Sequence, residues 1–550
     1  MIFAGIWVAG LFAQYPECEV LARTESGWVC GAKRQSASGS DYASFRGVPY
    51  AKQPLGELRF QELQPAEPWD GAFNASIEGP SCPFHDIFYS TLQQSQSVAE
   101  DCIRVNVHVP YQSLPDPKAE VPTSGGLPIV VFIHGGGWIC GSGDSDFNGP
   151  EYLVEKGVIV VTFNYRLDVF GFLTLNTAKV PGNNGLRDML TLLRWVRANA
   201  RSFGGDPDEV TLGGQSAGSA SAHLLSLSPA SAGLFKRLWL MSGTAIPSFY
   251  TTSPAYSQQV TTAYLTLLGI NSTDYDAVHD QLVQMPLEVL NNASGVLLAQ
   301  LGVTSFVPVV ETQIPGVTPI LEDDPETLIA KGNGNNITLV VGFTSDECEA
   351  NRPRLTEINA VALYQANPLA GLNPHLVFTL PANVTAEMAK RVGERYFSDS
   401  VVTMDKFIKL CTETYFAYPA IKLARARRAN GGAPVYLYKY GYEAEYSVFK
   451  IARNLTFTGA GHAEDMNRVF KVNSLPLPKS ASDSKMTERM SDLVANFAIN
   501  NVPSFGSHAW RPVQSQLKYN HVTDPDNHQF TRLENSDEDM VDFFDTLAKL

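Results

Sequence analysis

The chain has 550 residues, 44% of them hydrophobic and 18% charged, which is material for a large core and lacks the bias of a disordered or fibrous chain. Its 41 basic and 56 acidic residues leave a formal net charge of −15, so phosphate backbones and anionic membrane surfaces are repelled and nucleic acid is not expected as a partner. The length fits several average domains or one elaborated α/β domain.

Residues 1–13 (MIFAGIWVAGLFA) are an apolar run ending in a small residue and read as a possible signal peptide, leaving 14–550 as a single domain. The first basic residue is Arg23, so the usual charged leader is missing and a buried N-terminal strand is the alternative. Asn-x-Ser/Thr acceptors at Asn74, Asn271, Asn292, Asn336, Asn383 and Asn454 favour a secretory route, and a secreted location is expected. The closing Ala548-Lys549-Leu550 approximates a peroxisomal tripeptide but reads as the end of a helix that starts near Asp537. No later run is long and apolar enough to span a bilayer. Seven cysteines leave at least one thiol over. Cys18 and Cys30 could pair, while Cys140, Cys348 and Cys411 are expected to be buried thiols. No metal-ligand spacing and no HExxH occur, so neither a metal nor a cofactor is expected.

In chain order, residues 28–60 alternate like β-hairpins and run into FRGVPYAKQPLGELRF. Cys82 opens a polar loop, and alternation resumes in EDCIRVNV at 100–107. Residues 127–133 (LPIVVFI) are continuously apolar, as in a strand buried on both faces of a parallel sheet. They end in His134-Gly135-Gly136-Gly137-Trp138. The triple glycine is either a flexible loop or an oxyanion hole in which the Gly136 and Gly137 N–H groups approach a substrate oxygen closely. Residues 158–163 predict a second buried strand, and 186–200 a helix. Val210-Thr211-Leu212 reads as a strand and 220–227 as a helix, so Gly214-Gln215-Ser216-Ala217-Gly218 must turn between them. That is a nucleophile elbow: the flanking glycines permit strained backbone at Ser216, and the Ala217 N–H points at the reacting oxygen. Further strands are expected at 238–241, 339–342 and 435–440, with helical segments filling the interval after the elbow. Strand alternating with helix predicts an α/β fold with a mostly parallel sheet, the glycine-rich strand end together with Gly-x-Ser-x-Gly matches the motif pair of the α/β-hydrolase fold, and no linker suggests a domain cut.

A serine nucleophile needs a histidine to take its proton and an acid to orient that histidine, in the chain order serine, acid, histidine. That order leaves His375, His462, His508, His521 and His528. His462 stands out because the glycines of TGAGHAED let its loop turn inward, whereas His134 and His223 read as structural. Asp346 and Glu347 are adjacent candidates for the acid, and spacing does not choose between them.

The segments FRGVPYAKQPLGELRF, EDCIRVNV, HGGGW, FGGDPDEVTLGGQSAG, GFTSDECE and GAGHAEDMNRVF resemble the type B carboxylesterase family, which includes cholinesterases and insect esterases, over nearly the whole chain. The resemblance implies a Ser216–His462–Glu347 triad, oxyanion donors at Gly136, Gly137 and Ala217, and a disulfide between Cys82 and Cys102. Within the family, GQSAG, RDMLTLLRWV, LGVTSFVPVVET and GFTSDECE are most similar to moth-type juvenile hormone esterases and antennal, odorant-degrading esterases. The chain departs from the family at Cys348, where many relatives have glycine, at Met189, where Gln is usual, and at Val472, where hormone esterases tend to have threonine. It also lacks the cysteines of a second common disulfide near residues 248–257.

Cholinesterases that resemble this chain place Glu before the serine and Trp in the disulfide loop. Here Gln215 is neutral, and residues 83–101 hold Phe84, Phe88 and Tyr89 but no tryptophan, which disfavours a cationic ester. The expected activity is serine carboxylic-ester hydrolysis of a small apolar ester lodged against Trp138, Gln215, Phe249 and Phe306. Juvenile hormone or an ester odorant is a plausible substrate, and a detoxifying carboxylesterase or a non-catalytic ligand-binding or adhesion protein is the alternative.

Overall fold

The computed structural model describes residues 18–550 except 95–96, 247–249, 303–304, 400, 479, 515, 528 and 534. The expected leader at 1–13, Phe249 and His528 therefore lie outside the described residues.

The strands are β1 (Val20–Thr24), β2 (Gly27–Gln35), β3 (Asp41–Pro49), β4 (Ala72–Asn74), β5 (Arg104–Pro110), β6 (Leu127–Ile133), β7 (Ile159–Phe163), β8 (Gly205–Gln215), β9 (Arg237–Met241), β10 (Thr338–Thr344), β11 (Val435–Tyr440), the ribbon β12 (Ser504–Phe505) and β13 (His508–Ala509), β14 (Lys518–Val522) and β15 (Gln529–Arg532). All but the ribbon join one sheet in the order β1-β2-β3-β5-β7-β6-β8-β9-β10-β11-β14-β15, with β4 beside β2. From β7 to β14 every pairing is parallel, and the antiparallel hairpins lie at the two ends.

The apolar runs are continuous because both faces of this sheet are covered. Ile129, Val131 and Ile133 of β6 enter one core with Leu186, Leu190 and Leu193 of helix Asn184–Asn199 and with helix Ala217–Leu227. Val130 and Phe132 point the other way, into a core with Met486, Met490, Leu493 and Phe497 of helix Ala481–Asn500. The interval after the elbow carries helices Pro254–Leu267, Tyr275–Gln284, Leu287–Leu301 and Pro325–Ala330, as expected. The elbow strand is longer than its apolar residues indicate: Gly205 pairs with Leu127, so the polar GDPDE segment extends the ladder beyond the core.

Cys18 pairs with Cys30, and Cys82 with Cys102. Cys348 and Cys411 correct the reading of them as thiols: they form a third disulfide across a sequence separation of 63. Helix Met404–Thr412 lies against the turn Glu347–Asn351, where the Cys348 N–H donates to Thr412 Oγ1 at 3.2 Å. Cys140 alone is a free, buried thiol. Among the described residues no helix is long and apolar enough to cross a membrane, and no group of His, Cys, Asp or Glu could hold a metal ion.

Candidate active site

Ser216 stands between β8 and helix Ala217–Leu227 at φ 57° and ψ −124°. Its N–H is tied to Met241 O at 2.8 Å, which fixes the apex against the end of β9. A Cβ on Gly218 would sit 2.1 Å from Ile133 O, and one on Gly214 would sit 2.4 Å from Gly218 O, so no side chain fits on either flank. The helix starts at residue 217, immediately after the apex, and its N-terminus lies beside the hydroxyl.

The loop after β6 faces this apex. Gly136 and Gly137 have φ of 106° and 63°, and a Cβ on Gly136 would meet Cys140 O at 2.2 Å. The Gly136 carbonyl accepts from the N–H groups of Ile139 and Cys140, both at 3.1 Å, and Trp138 O accepts from Asp168 N at 2.6 Å, so the loop is anchored by its carbonyls. The N–H groups of Gly136, Gly137 and Ala217 donate to no other described residue. His134 is buried beneath the loop, stacked on Tyr165 at 4.4 Å, and burial lowers its pKa to about 4. His223 is likewise buried, accepts from Ala245 N at 2.9 Å, and is lowered to about 3 by desolvation. Both are structural.

Of the described histidines after the elbow, His462 alone lines the cavity at Ser216. His375 lines a separate groove and accepts from Ser253 N at 3.1 Å, His508 is exposed beside Phe505, and His521 stands on β14 against Tyr519. His462 Nδ1 lies 2.6 Å from Glu347 Oε2, and the other carboxylate oxygen accepts from Thr344 N at 2.7 Å. A carboxylate only accepts, so Nδ1 carries the proton and Nε2 presents a lone pair. Asp346 turns away: it accepts from Ser345 Oγ at 2.6 Å and packs against Gly459.

The Nε2 lone pair faces the side-chain amide of Gln215, at 2.9 Å, and Ser216 shares the cavity wall with Tyr250. Gln215 is 1% exposed, so the residue before the serine touches the imidazole directly. Asp465 is buried behind the histidine, accepts from Tyr438 OH at 2.6 Å, and is pushed up to about 6 by burial, with Glu347 adding to the rise.

The cavity holding these groups is narrow, about 70 Å³. Phe88 and Tyr89 of the Cys82–Cys102 loop, Tyr250, Phe416 and Phe449 form its aromatic wall, and among the described residues Arg453 supplies the wall's charge. Two expected pocket residues are not in that wall. Trp138 is buried behind it, donating to Ser221 Oγ at 2.8 Å and meeting Tyr250 edge-on at 5.5 Å. Phe306 packs edge-on against Tyr264 at 5.4 Å inside the helical insertion. Tyr250, Phe416, Phe449 and Arg453 carry no motif; only Phe88 and Tyr89, as aromatics in the disulfide loop, stand out in the sequence. A larger apolar groove of about 570 Å³ abuts the cavity, sharing the chain at Tyr250-Thr251 and at Tyr415-Phe416.

The profile of the carboxylesterase family matches residues 19–541. A juvenile hormone esterase of Heliothis virescens is 46% identical over 537 residues, covering 96% of this chain and 94% of that protein. One of Tribolium castaneum is 32% identical, covering 92% and 87%. The crystal structure of juvenile hormone esterase from Manduca sexta, with OTFP covalently attached, superposes with a TM-score of 0.93 at 48% identity, covering 96% of this chain and 100% of that one.

Proposed function

The chain belongs to the carboxylesterase family and is a carboxylic ester hydrolase, and we propose that it cleaves apolar esters through an acyl-enzyme on Ser216, juvenile hormone being the foremost candidate substrate. The observation that carries the catalytic part is the 2.6 Å contact from Glu347 to His462 Nδ1, which leaves Nε2 as a base in the cavity that Ser216 lines. The Ser216 hydroxyl turns to Nε2, displacing the Gln215 amide, and gives its proton to the imidazole as Oγ bonds to the ester carbonyl carbon. The carbonyl oxygen, now an oxyanion, accepts from the N–H groups of Gly136, Gly137 and Ala217, and loss of one such donor costs about 3 kcal/mol in the transition state. Glu347 stabilises the imidazolium, which protonates the departing alkoxide to release the alcohol. Water then gives its proton to Nε2 and attacks the acyl carbon, and collapse returns the proton to Oγ and frees the acid.

The substrate class is supported by the aromatic wall and by the adjoining groove, which is lined largely by aliphatic and aromatic side chains such as Leu376, Val384, Met388, Leu410 and Phe544. A hydrolytic enzyme of a secreted fluid is supported by three disulfides and by exposed acceptors at Asn74, Asn271, Asn292, Asn336, Asn383 and Asn454.

Comparing kcat/KM for a juvenile hormone, a long-chain acetate and a short aryl ester tests the substrate. A clear preference for the hormone is expected, and a flat series favours a broad detoxifying enzyme. Ser216→Ala is expected to lower kcat by roughly 10⁶; turnover retained by that variant refutes the serine mechanism, and failure of an organophosphate to label the unmodified protein refutes it independently.

A further inference from the structure

Arg453 is the last residue of helix Val448–Arg453 and reaches into the cavity that Ser216 and His462 line. Of its five N–H donors, Nη1 donates to Ala350 O at 2.7 Å, and the guanidinium lies 5.4 Å over the Phe449 ring. No carboxylate stands within 4.0 Å of it among the described residues. Asp86, the acidic side chain whose charge acts on it, is turned to its own loop, where Oδ1 accepts from Phe88 N at 3.0 Å and Tyr89 N at 2.7 Å. The rest of the described wall is uncharged apart from the imidazole, which presents a lone pair, so among the described residues Arg453 is the cavity's one cation. Burial lowers its pKa, the mark of a guanidinium that has given up part of its hydration without an ion-pair partner. A half-buried, unpaired charge is unfavourable for folding and is retained where it meets something that binds.

We propose that Arg453 is a specificity-determining residue, which favours esters that carry an oxygen acceptor or an anion toward this wall of the cavity and rejects esters carrying a cation there. This rests on the esterase reading above. Its reach is electrostatic as well as contact-based: the protein's net charge of −15 draws cations toward the surface, and a fixed positive charge inside a narrow, largely aromatic cavity opposes that field where the ester must sit. The remaining guanidinium donors suit ether, carbonyl or sulfonate oxygens, which an alkyl chain or a quaternary ammonium cannot offer.

The test is a charge series on one scaffold: the tert-butylethyl ester of butanoic acid, its trimethylammonium isostere and its sulfonate counterpart, each assayed with the full-length protein. In the unmodified enzyme the neutral ester is expected to exceed the cationic one in kcat/KM by about 30-fold, the scale of one partly screened charge pair. Arg453→Met keeps the aliphatic stem and removes the charge, and the ratio is expected to collapse to within about threefold of unity while the sulfonate ester loses most; Arg453→Lys keeps the charge and is expected to preserve the order. A ratio that is the same in Arg453→Met as in the unmodified enzyme overturns the proposal, as does a ratio lost equally in Arg453→Lys. Should Arg453→Met not fold, Arg453→Gln carries the same comparison. Because each reading is a ratio within one enzyme, a general structural weakening does not move it, and turnover of the neutral ester reports separately on the esterase reading.

Discussion

At φ 57° Ser216 occupies backbone that costs a non-glycine residue on the order of 1–3 kcal/mol, and that conformation persists because the surroundings leave no other. Gly218 packs on Ile133 O, Gly214 on Gly218, and Ser216 N on Met241 O, so three strands hold one residue. The two acids just past β10 separate at the same scale. Glu347 accepts from Thr344 N with one oxygen and from the imidazole with the other, whereas Asp346 accepts from Ser345 and faces the loop at Gly459. Glu347→Gln keeps the shape but loses the charge that holds the Nδ1 tautomer and supports the imidazolium, and kcat is expected to fall by about 10⁴. Asp346→Asn is expected to stay within about threefold of the unmodified enzyme. Steady-state kinetics on one aryl ester measures both, and comparable losses in the two variants would reject Glu347 as the orienting acid.

Among elements, the stretch from the glycine loop at 135–137 to residue 148 holds two acids, Asp144 buried and Asp146 half-buried. Asp144 lies beneath the Cys82–Cys102 loop, near Ser81 Oγ, and its carboxyl is pushed up to about 8, chiefly by burial and then by Glu78 and Asp146. A carboxyl raised on folding adds stability while it is protonated, below its ordinary value of 3.8. That contribution is lost progressively as pH rises from there to about 8, where the folded form also ionises. Asn mimics the protonated acid at every pH. Asp144→Asn is therefore expected to match the unmodified protein in Tm near pH 4 and to exceed it increasingly up to pH 8. Thermal melts across that range check it, and a Tm difference independent of pH would contradict it. The same loop bears Phe88 and Tyr89, so the ionisation state under it bears on the wall of the cavity.

For the whole molecule, seven cysteines resolve into three pairs and one thiol. Cys140 is 0% exposed behind the Gly136 loop, and burial raises its pKa, so it is both hidden and protonated. Titration with a thiol reagent is expected to find no reactive thiol in the native protein and one per chain after denaturation without reductant; three after denaturation would mean that a disulfide is absent. The sheet itself was legible in the sequence. The strands at 127–133 and 435–440 end where the apolar runs do, since helices cover both faces and residues 129–133 and 435–438 are buried throughout. The Cys348–Cys411 bond was not legible, because 63 residues separate partners that only helix packing brings together. Trp138 and Phe306 were misjudged for a related reason: an aromatic near a motif in sequence can point into the core behind the cavity.

Short-range chemistry was written in the sequence itself: a serine between two glycines after an apolar run, a glycine-rich strand end, an acid pair and a histidine in a glycine loop. Each of these is a local backbone requirement, satisfied within a few residues and so visible along the chain. What only the tertiary structure decided is which groups meet. Gln215 reaches His462 across 247 positions, Glu347 rather than Asp346 faces the imidazole, and Arg453 enters the cavity from a helix with no motif. Such contacts depend on how the parallel sheet stacks distant loops at one end of its strands; no periodicity or spacing along the chain encodes that path, and the choice of Glu347 over Asp346 is implied beforehand by family resemblance alone.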